Sequence, residues 1–266
     1  MKNYYLPLIS ILLLALSILT YYKHCYTPTS SSINQKKIIV IDVGHGGSDP
    51  GKVSANGIEE KDINLEIAGY LKDYLIAQGF TVHLTRETDD GLYEPDASNK
   101  KRSDMNNRIQ FFKDKNAALV VSIHQNSYPD SFQHGAQTFY YTNSDTSKLL
   151  AESIQASLLS IDDTNTRAAK SSDSYFILKN SSAPAVIIEC GFLSNPEEAA
   201  KLTDPNYQKK IAYAISIGIC TYHTSKKPSP DTKTREQAWT NPNRISQAHT
   251  LPSTLNFHFT YSLYVL

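Results

Sequence analysis

Three short runs of apolar residues carry most of the fold information. They are Ile38-Ile39-Val40-Ile41, the stretch Ala117 to Ile123, and Ala185-Val186-Ile187-Ile188. Each is too short for a stable helix. None alternates apolar with polar, so each needs cover on both faces, as strands of a parallel sheet do. Between them lie stretches with helical spacing. Ile63, Ile67, Leu71 and Leu75 recur every four residues beside Tyr70 and Tyr74, with Asp62 as the expected N-cap and Gly79 as the stop. Thr81 to Thr85 reads as a strand, residues 87–100 as a surface loop, and Ser103 as the cap of a helix reaching about Asn116. Ala136 to Tyr141 reads as a strand, Ser147 to Leu159 as a helix, Tyr175 to Leu178 as a short strand and Pro205 to about Tyr222 as a closing helix. The alternation predicts one α/β domain of three layers, a mostly parallel central sheet flanked by helices.

The two ends differ from this middle. Tyr4 to Tyr22 is uncharged over 19 residues, between Lys2 and Lys23. That length roughly matches a 30 Å hydrocarbon core at about 1.5 Å per residue. No clean Ala-x-Ala site follows it. Residues 1–23 therefore read as an N-terminal hydrophobic helix acting as a signal-anchor, with a cleaved signal peptide as the rival. Residues 24–36 read as a linker, 37–224 as the folded domain and 225–266 as a flexible tail rich in Lys, Pro, Ser, Thr and Asn. The tail ends in a period-two pattern from Leu255 to Val265 that fits an edge strand, a partner site or equally a sticky tail with no role. Lys plus Arg and Asp plus Glu are both 26, and this zero net charge argues against a nucleic-acid partner. With three cysteines a disulfide scaffold is excluded.

Chemistry gathers at the strand ends. His45 follows the first run, His124 follows the second and Glu189 ends the third. In open α/β sheets these carboxyl ends form the ligand crevice, so residues distant in sequence converge there. Glu60, just before the first helix, can swing into the same crevice. Two imidazoles and one carboxylate are a ligand set for a catalytic Zn2+ with one open position. The remaining carboxylate is then free to act as general base. Singly, each histidine reads more simply as a loop or core residue. Glu189 directly after Val-Ile-Ile is costly to bury unless paired or functional. The conjunction carries the argument.

Four motifs follow in order: IVIDVGHGGSDPG, EKDINL, SIHQNS and IIECGFLSNP. Together they strongly resemble the zinc N-acetylmuramoyl-L-alanine amidases of the Amidase_3 family, over Lys37 to about Tyr222. The resemblance implies zinc ligands at His45, Glu60 and His124 and a catalytic glutamate at Glu189, with Glu59 as the rival of Glu60. Asn126 matches the family's S-x-H-x-N pattern. Val43 departs from the proline usual before Gly-His. The implied reaction is hydrolysis of the amide between the lactyl group of N-acetylmuramic acid and L-alanine in peptidoglycan, with Glu189 moving the proton from water to the leaving amine. Thr85 to Asp89 and Gly135 to Tyr141 resemble the branch that prepares spore cortex for germination. That branch implies action between the forespore membranes, alongside a deacetylase, toward muramic-δ-lactam. An accessory protein that stabilises the zinc-bound form is expected as a partner. The competing readings are a general autolysin, a zinc peptidase of stem peptides and a non-catalytic wall-binding relative.

Other residues read more plainly. Arg86 and Arg108 are expected in surface or structural ion pairs, with contact to peptide carboxylates as the rival. His83 is expected to face away from Val82 and Leu84, Cys190 to pack as a small residue, and Cys25 not to carry a lipid.

Overall fold

A computed structural model describes residues 37–225 of the 266-residue chain. The expected anchor, the linker and the tail beyond Ser225 lie outside the described residues. The chain divides into two compact units, 1–219 and 220–266, and of the second only the end of the last helix is described. Among the described residues no helix is long and apolar enough to cross a membrane.

The elements alternate as expected: β1 (Ile38–Val43), α1 (Glu60–Ala77), β2 (Thr81–Leu84), α2 (Lys100–Asp114), β3 (Leu119–Asn126), β4 (Gln137–Tyr141), α3 (Asp145–Leu159), β5 (Lys170–Ser172), α4 (Phe176–Asn180), β6 (Ala185–Phe192), α5 (Pro196–Leu202) and α6 (Pro205–Ser225). Six strands form one sheet in the order β2-β1-β3-β6-β4-β5. β2, β1, β3 and β6 run parallel, while β4 pairs antiparallel with β6 and parallel with β5. The sheet is thus parallel except for its β4–β5 edge.

The unbroken apolar runs are explained by burial on both faces. Val40, Val120, Phe139 and Ile187 pack with Ile109 and Phe112 of α2 and Ile177 and Leu178 of α4. The alternate residues Ile39, Ile41, Val121 and Ile188 are equally buried, on the side left to α1 and α3. Gly218 of α6 lies so close to α3 that a Cβ there would meet Ile154 Cα at 2.5 Å. These are the three layers the sequence predicts.

Several local expectations differ from the structure. Helix α1 begins at Glu60, so Asp62 sits in its first turn and is not its cap. The first amides need no capping side chain, because Glu60 N donates to Lys52 O (2.8 Å) and Lys61 N to Pro50 O (3.1 Å). Helix α2 is capped by Asn99, whose side chain accepts from Arg102 N; Ser103 lies inside the helix and accepts from Glu94 N. Residues 176–180 form a single helical turn, not a strand: Lys179 N donates to Tyr175 O and Ser181 N to Ile177 O. A turn of helix brings the adjacent Ile177 and Leu178 into the same cluster, whereas a pleated strand would point them to opposite faces. The edge strand β5 is Lys-Ser-Ser and has no apolar signature, and α5, capped by Asn195 with Pro196 at its start, is likewise absent from the reading. β3 and β6 run past His124 and Glu189, so both side chains stand on strands and not in loops.

One buried ion pair ties α2 to β1. Arg108 Nη1 donates to Asp42 Oδ1 at 2.7 Å, with the two side chains 2% and 1% exposed. Ser122 Oγ also donates to Asp42 at 2.6 Å. Burial alone would push the Asp42 carboxyl up; Arg108 and Ser122 outweigh it and hold the group below its ordinary 3.8. Removing one partner of such a pair leaves an uncompensated buried charge. Arg108→Leu is expected to lower the unfolding free energy by roughly 3–5 kcal/mol in denaturant titration. For the native chain the sign is that of a depressed carboxylate. The contribution of Asp42 is present at pH above the ordinary value and is lost as pH falls through the depressed one. Stability measured from pH 6 down to about 2 should fall more steeply for the native chain than for the Asp42→Asn variant.

Candidate functional site

The centre is built where β1 ends. The chain turns through Gly44-His45-Gly46-Gly47, and His45 takes a left-handed backbone with φ 61°. That conformation is uncommon for a residue with a Cβ and has to be held from outside. Two guanidiniums hold it. Arg86 Nε donates to His45 O (2.9 Å), and its Nη2 to Gly44 O (3.1 Å) and Lys61 O (2.7 Å). Arg108 Nη2 donates to the same His45 carbonyl at 2.8 Å, and its Nη1 to Val43 O at 2.7 Å. Both arginines are buried; Arg108 makes the expected structural ion pairs with Asp42 and Asp104, whereas Arg86, expected in an ion pair, bonds backbone carbonyls instead.

Three donor atoms meet beside this turn. His45 Nε2 lies 3.2 Å and His124 Nδ1 2.9 Å from Glu60 Oε1. The two rings meet edge to face with centroids 5.0 Å apart. One ligand atom from each of the three residues falls within 4.8 Å of the others, close enough to hold a metal ion. Glu60 is 2% exposed and fixed at both oxygens: Oε1 accepts from Gln125 N (2.9 Å) and Oε2 from Lys52 N (2.8 Å). Glu59 points elsewhere, pairing with Lys61 at 3.3 Å. Of the two glutamates, Glu60 is therefore the one placed beside the histidines.

Electrostatics ask for a cation here. Burial disfavours charge on His45, yet Asp49 and Glu60 outweigh it and raise the imidazole to about 9. Asp49 accepts from His45 Nδ1 at 2.9 Å, and that bond lowers its own carboxyl to about 2. Burial would raise Glu60, but both histidines hold it far below the usual carboxylate range. A divalent ion between neutral imidazoles would satisfy the same carboxylates, with Asp49 fixing the His45 tautomer so that Nε2 faces the ion. The two imidazoles and one carboxylate also suit zinc chemically.

Glycines make room for the cluster. A Cβ on Gly44 would meet His124 Cε1 at 2.5 Å, and one on Gly51, which has φ +70°, would meet Glu60 Oε2 at 2.6 Å.

Glu189 stands apart from the cluster. It lies across from His124 in the β3–β6 register and is 7% exposed. Tyr175 O–H donates to its Oε1 at 3.2 Å, while Oε2 is buried without a hydrogen-bond partner. Burial pushes this carboxyl above its ordinary value. A cavity of about 620 Å³ is lined by His45, Glu60, His124 and Glu189 together. Asn126 also lines it; Cys190 is fully buried, with its thiol pushed up by burial. His83 is half-buried between buried Val82 and Leu84, as the alternation predicts.

Two residues of this site escape the sequence reading. Asp49 lies four positions after His45 inside the glycine-rich loop, and an acid that close to a candidate ligand was the available signal. Tyr175 gave none, because only the packing of α4 brings it to Glu189.

An α/β sheet with a His-Glu-His cluster and a separate buried carboxylate in one cleft is the frame of a metal-assisted hydrolase. The family model described as N-acetylmuramoyl-L-alanine amidase (Amidase_3) matches residues 39–221, and the chain belongs to that family. It is 39% identical over 198 residues to the germination-specific N-acetylmuramoyl-L-alanine amidase of Bacillus subtilis, covering 73% of this chain and 83% of that one. It also resembles the CwlD amidase of Clostridioides difficile, solved in complex with the GerS lipoprotein. That match has 42% identity and a TM-score of 0.70, over 71% of this chain and all of the other. The catalytic domain of CwlV from Bacillus (Paenibacillus) polymyxa matches at 30% identity and TM-score 0.63, over 71% of this chain and 99% of the other. The chain is accordingly a hydrolase of the amide-cleaving, peptidoglycan-directed kind.

The geometry gives an ordering of metal retention. Asp49→Asn keeps the shape of its side chain but loses the charge behind His45, and should weaken metal affinity about 10- to 100-fold in competition with a chelator. Gly44→Ala should do more, since the new methyl group enters the space of the His124 ring. Elemental analysis of the dialysed variant should find substoichiometric metal.

Proposed function

We propose that His45, Glu60 and His124 hold a zinc ion and that Glu189 is the general base of the amidase. The observation that carries this reading is the unpartnered Glu189 Oε2, in a residue that lines the same cavity as the three convergent donor atoms. When bound, zinc supplies Lewis-acid polarisation of the amide carbonyl and acidifies the attacking water.

The chain's own residues do the rest. Glu189 takes a proton from water at Oε2 while Tyr175 holds Oε1, so the carboxylate cannot rotate away. Burial raises its affinity for that proton, which suits a base working near neutral pH. The same oxygen then delivers the proton to the nitrogen leaving with L-alanine. His45 is kept in place by Asp49 and the two arginines, and Glu60 by the backbone amides of Lys52 and Gln125.

The biological setting is part of the proposal. The relative named as germination-specific supports removal of stem peptides in spore cortex, upstream of a deacetylase that yields muramic-δ-lactam. The site of action is extracytoplasmic, in the space between the forespore membranes. The uncharged run from Tyr4 to Tyr22 holds the chain at the membrane, residues 37–224 catalyse, and residues 225–266 form an appended tail. An accessory protein stabilises the metal-bound form; the Clostridioides difficile relative was solved with a lipoprotein bound.

Product mass spectrometry on peptidoglycan tests the reading. The zinc-loaded chain should yield peptide-free muramic residues together with peptides bearing free N-terminal L-alanine. Cleavage within the stem peptide would sink it. Glu189→Gln should retain metal and lose about 10²- to 10⁴-fold in rate. Tyr175→Phe should lower kcat more than it raises KM, because it keeps the ring that lines the cavity and removes only the hydroxyl bonded to Glu189.

A further inference from the structure

The cleft holds a second group of charged residues that the hydrolytic chemistry does not use. Lys52 comes from the loop before α1, and Lys100 and Lys101 come from the first turn of α2; all three line the cavity and are exposed. Among the described residues no carboxylate lies within 4.0 Å of any of these ammonium groups, whereas Lys61, Lys72 and Lys148 all have such partners. Lys100 sits over the ring of Tyr93, 4.9 Å from its centroid. Lys101 is near enough to Asp49 to help hold that carboxyl down, which sets it on the His45 side of the cleft. The backbone of Lys52 is fixed where its N–H meets Glu60. The N-terminal end of α2 adds its own positive field.

The arginines are not available for such a role. Arg108 spends its donors on Asp42, Asp104 and the Val43 and His45 carbonyls, and Arg86 on five backbone carbonyl contacts. The only free cations lining the cavity among the described residues are thus the three lysines.

We propose that Lys52, Lys100 and Lys101 form an anion subsite at the mouth of the cleft that binds a free carboxylate of the stem peptide. The inference rests on the amidase reading for the identity of the substrate. In an extended peptide each residue advances about 3.5 Å, so a carboxylate one or two residues beyond the scissile amide lies roughly 4–7 Å further along the chain, and the lysines line the same cavity as the histidines and Glu189. The subsite makes an acidic stem peptide a better substrate than an amidated one. It acts on binding and not on the chemical step.

The test uses the full zinc-loaded chain and soluble muramyl peptides in matched pairs. One pair carries a carboxylate or a carboxamide on the second residue, and the other pair differs in the same way at the chain end. The native protein should favour the acid of one pair by about three- to fivefold in kcat/KM, mainly through KM, and lose the preference at high salt. The pair that shows it identifies which carboxylate is bound. The triple variant Lys52→Gln, Lys100→Gln, Lys101→Gln should cut acid and amide equally, while Lys148→Gln, on α3, should keep the preference. Equal rates on both pairs by the native protein, or an unchanged preference in the triple variant, would overturn the subsite. Calorimetric binding of the same pairs to Glu189→Gln decides the matter separately from turnover. If neither peptide is cut by the native chain, the amidase reading fails, and acid-over-amide binding still tests the lysines.

Discussion

The left-handed turn at His45 is the constraint on which the site depends. A non-glycine residue with φ 61° does not hold that shape unaided, and here its carbonyl receives bonds from two buried guanidiniums. Arg108 can be buried because Asp42 and Asp104 neutralise it; Asp42 in turn is tied to Ser122 on the neighbouring strand. The ion pair therefore links α2, β1 and β3 to the loop that carries a candidate metal ligand. Core packing and site geometry share the same atoms, so a defect in either is felt in both.

The cleft separates two kinds of carboxylate by environment. Glu60 faces two imidazoles and two backbone amides and is held firmly ionised. Glu189 is buried with a single tyrosine hydroxyl as its hydrogen-bond partner, and burial raises its affinity for a proton. One is suited to bind a cation and the other to carry a proton. Two carboxylates lining one cleft are thereby pushed in opposite directions without any difference in their own chemistry. The arginines serve the backbone and the lysines face outward. Positive charge is divided in the same way, between the buried architecture and the exposed lining of the cleft.

The elements with strong periodic signals were legible. β1, β3, β6, α1 and α3 follow from runs and spacings that survive any reasonable packing. Elements held by tertiary contacts were not. Helix α1 starts two residues before Asp62 because loop carbonyls at Pro50 and Lys52 receive its first amides. The turn at Phe176 is helical because Ile177 and Leu178 must both reach α2, and β5 exists because β4 leaves an edge that a polar segment can pair with. In each case the deciding partner lies far away in sequence.

The sequence by itself determined the fold class, the family motifs and the four residues that meet in the cleft: His45, Glu60, His124 and Glu189. Strand ends in a parallel sheet point to one edge whatever the loops do, so residues placed there must converge. The motif favoured Glu60 over Glu59, and the tertiary structure puts Glu60 against the two histidines while Glu59, still extended before α1, pairs with Lys61. The tertiary structure alone revealed Asp49 behind His45, Tyr175 on Glu189, and which cations remain free to meet a substrate. Those facts depend on who occupies whose hydrogen bonds, and that accounting exists only once the chain is packed.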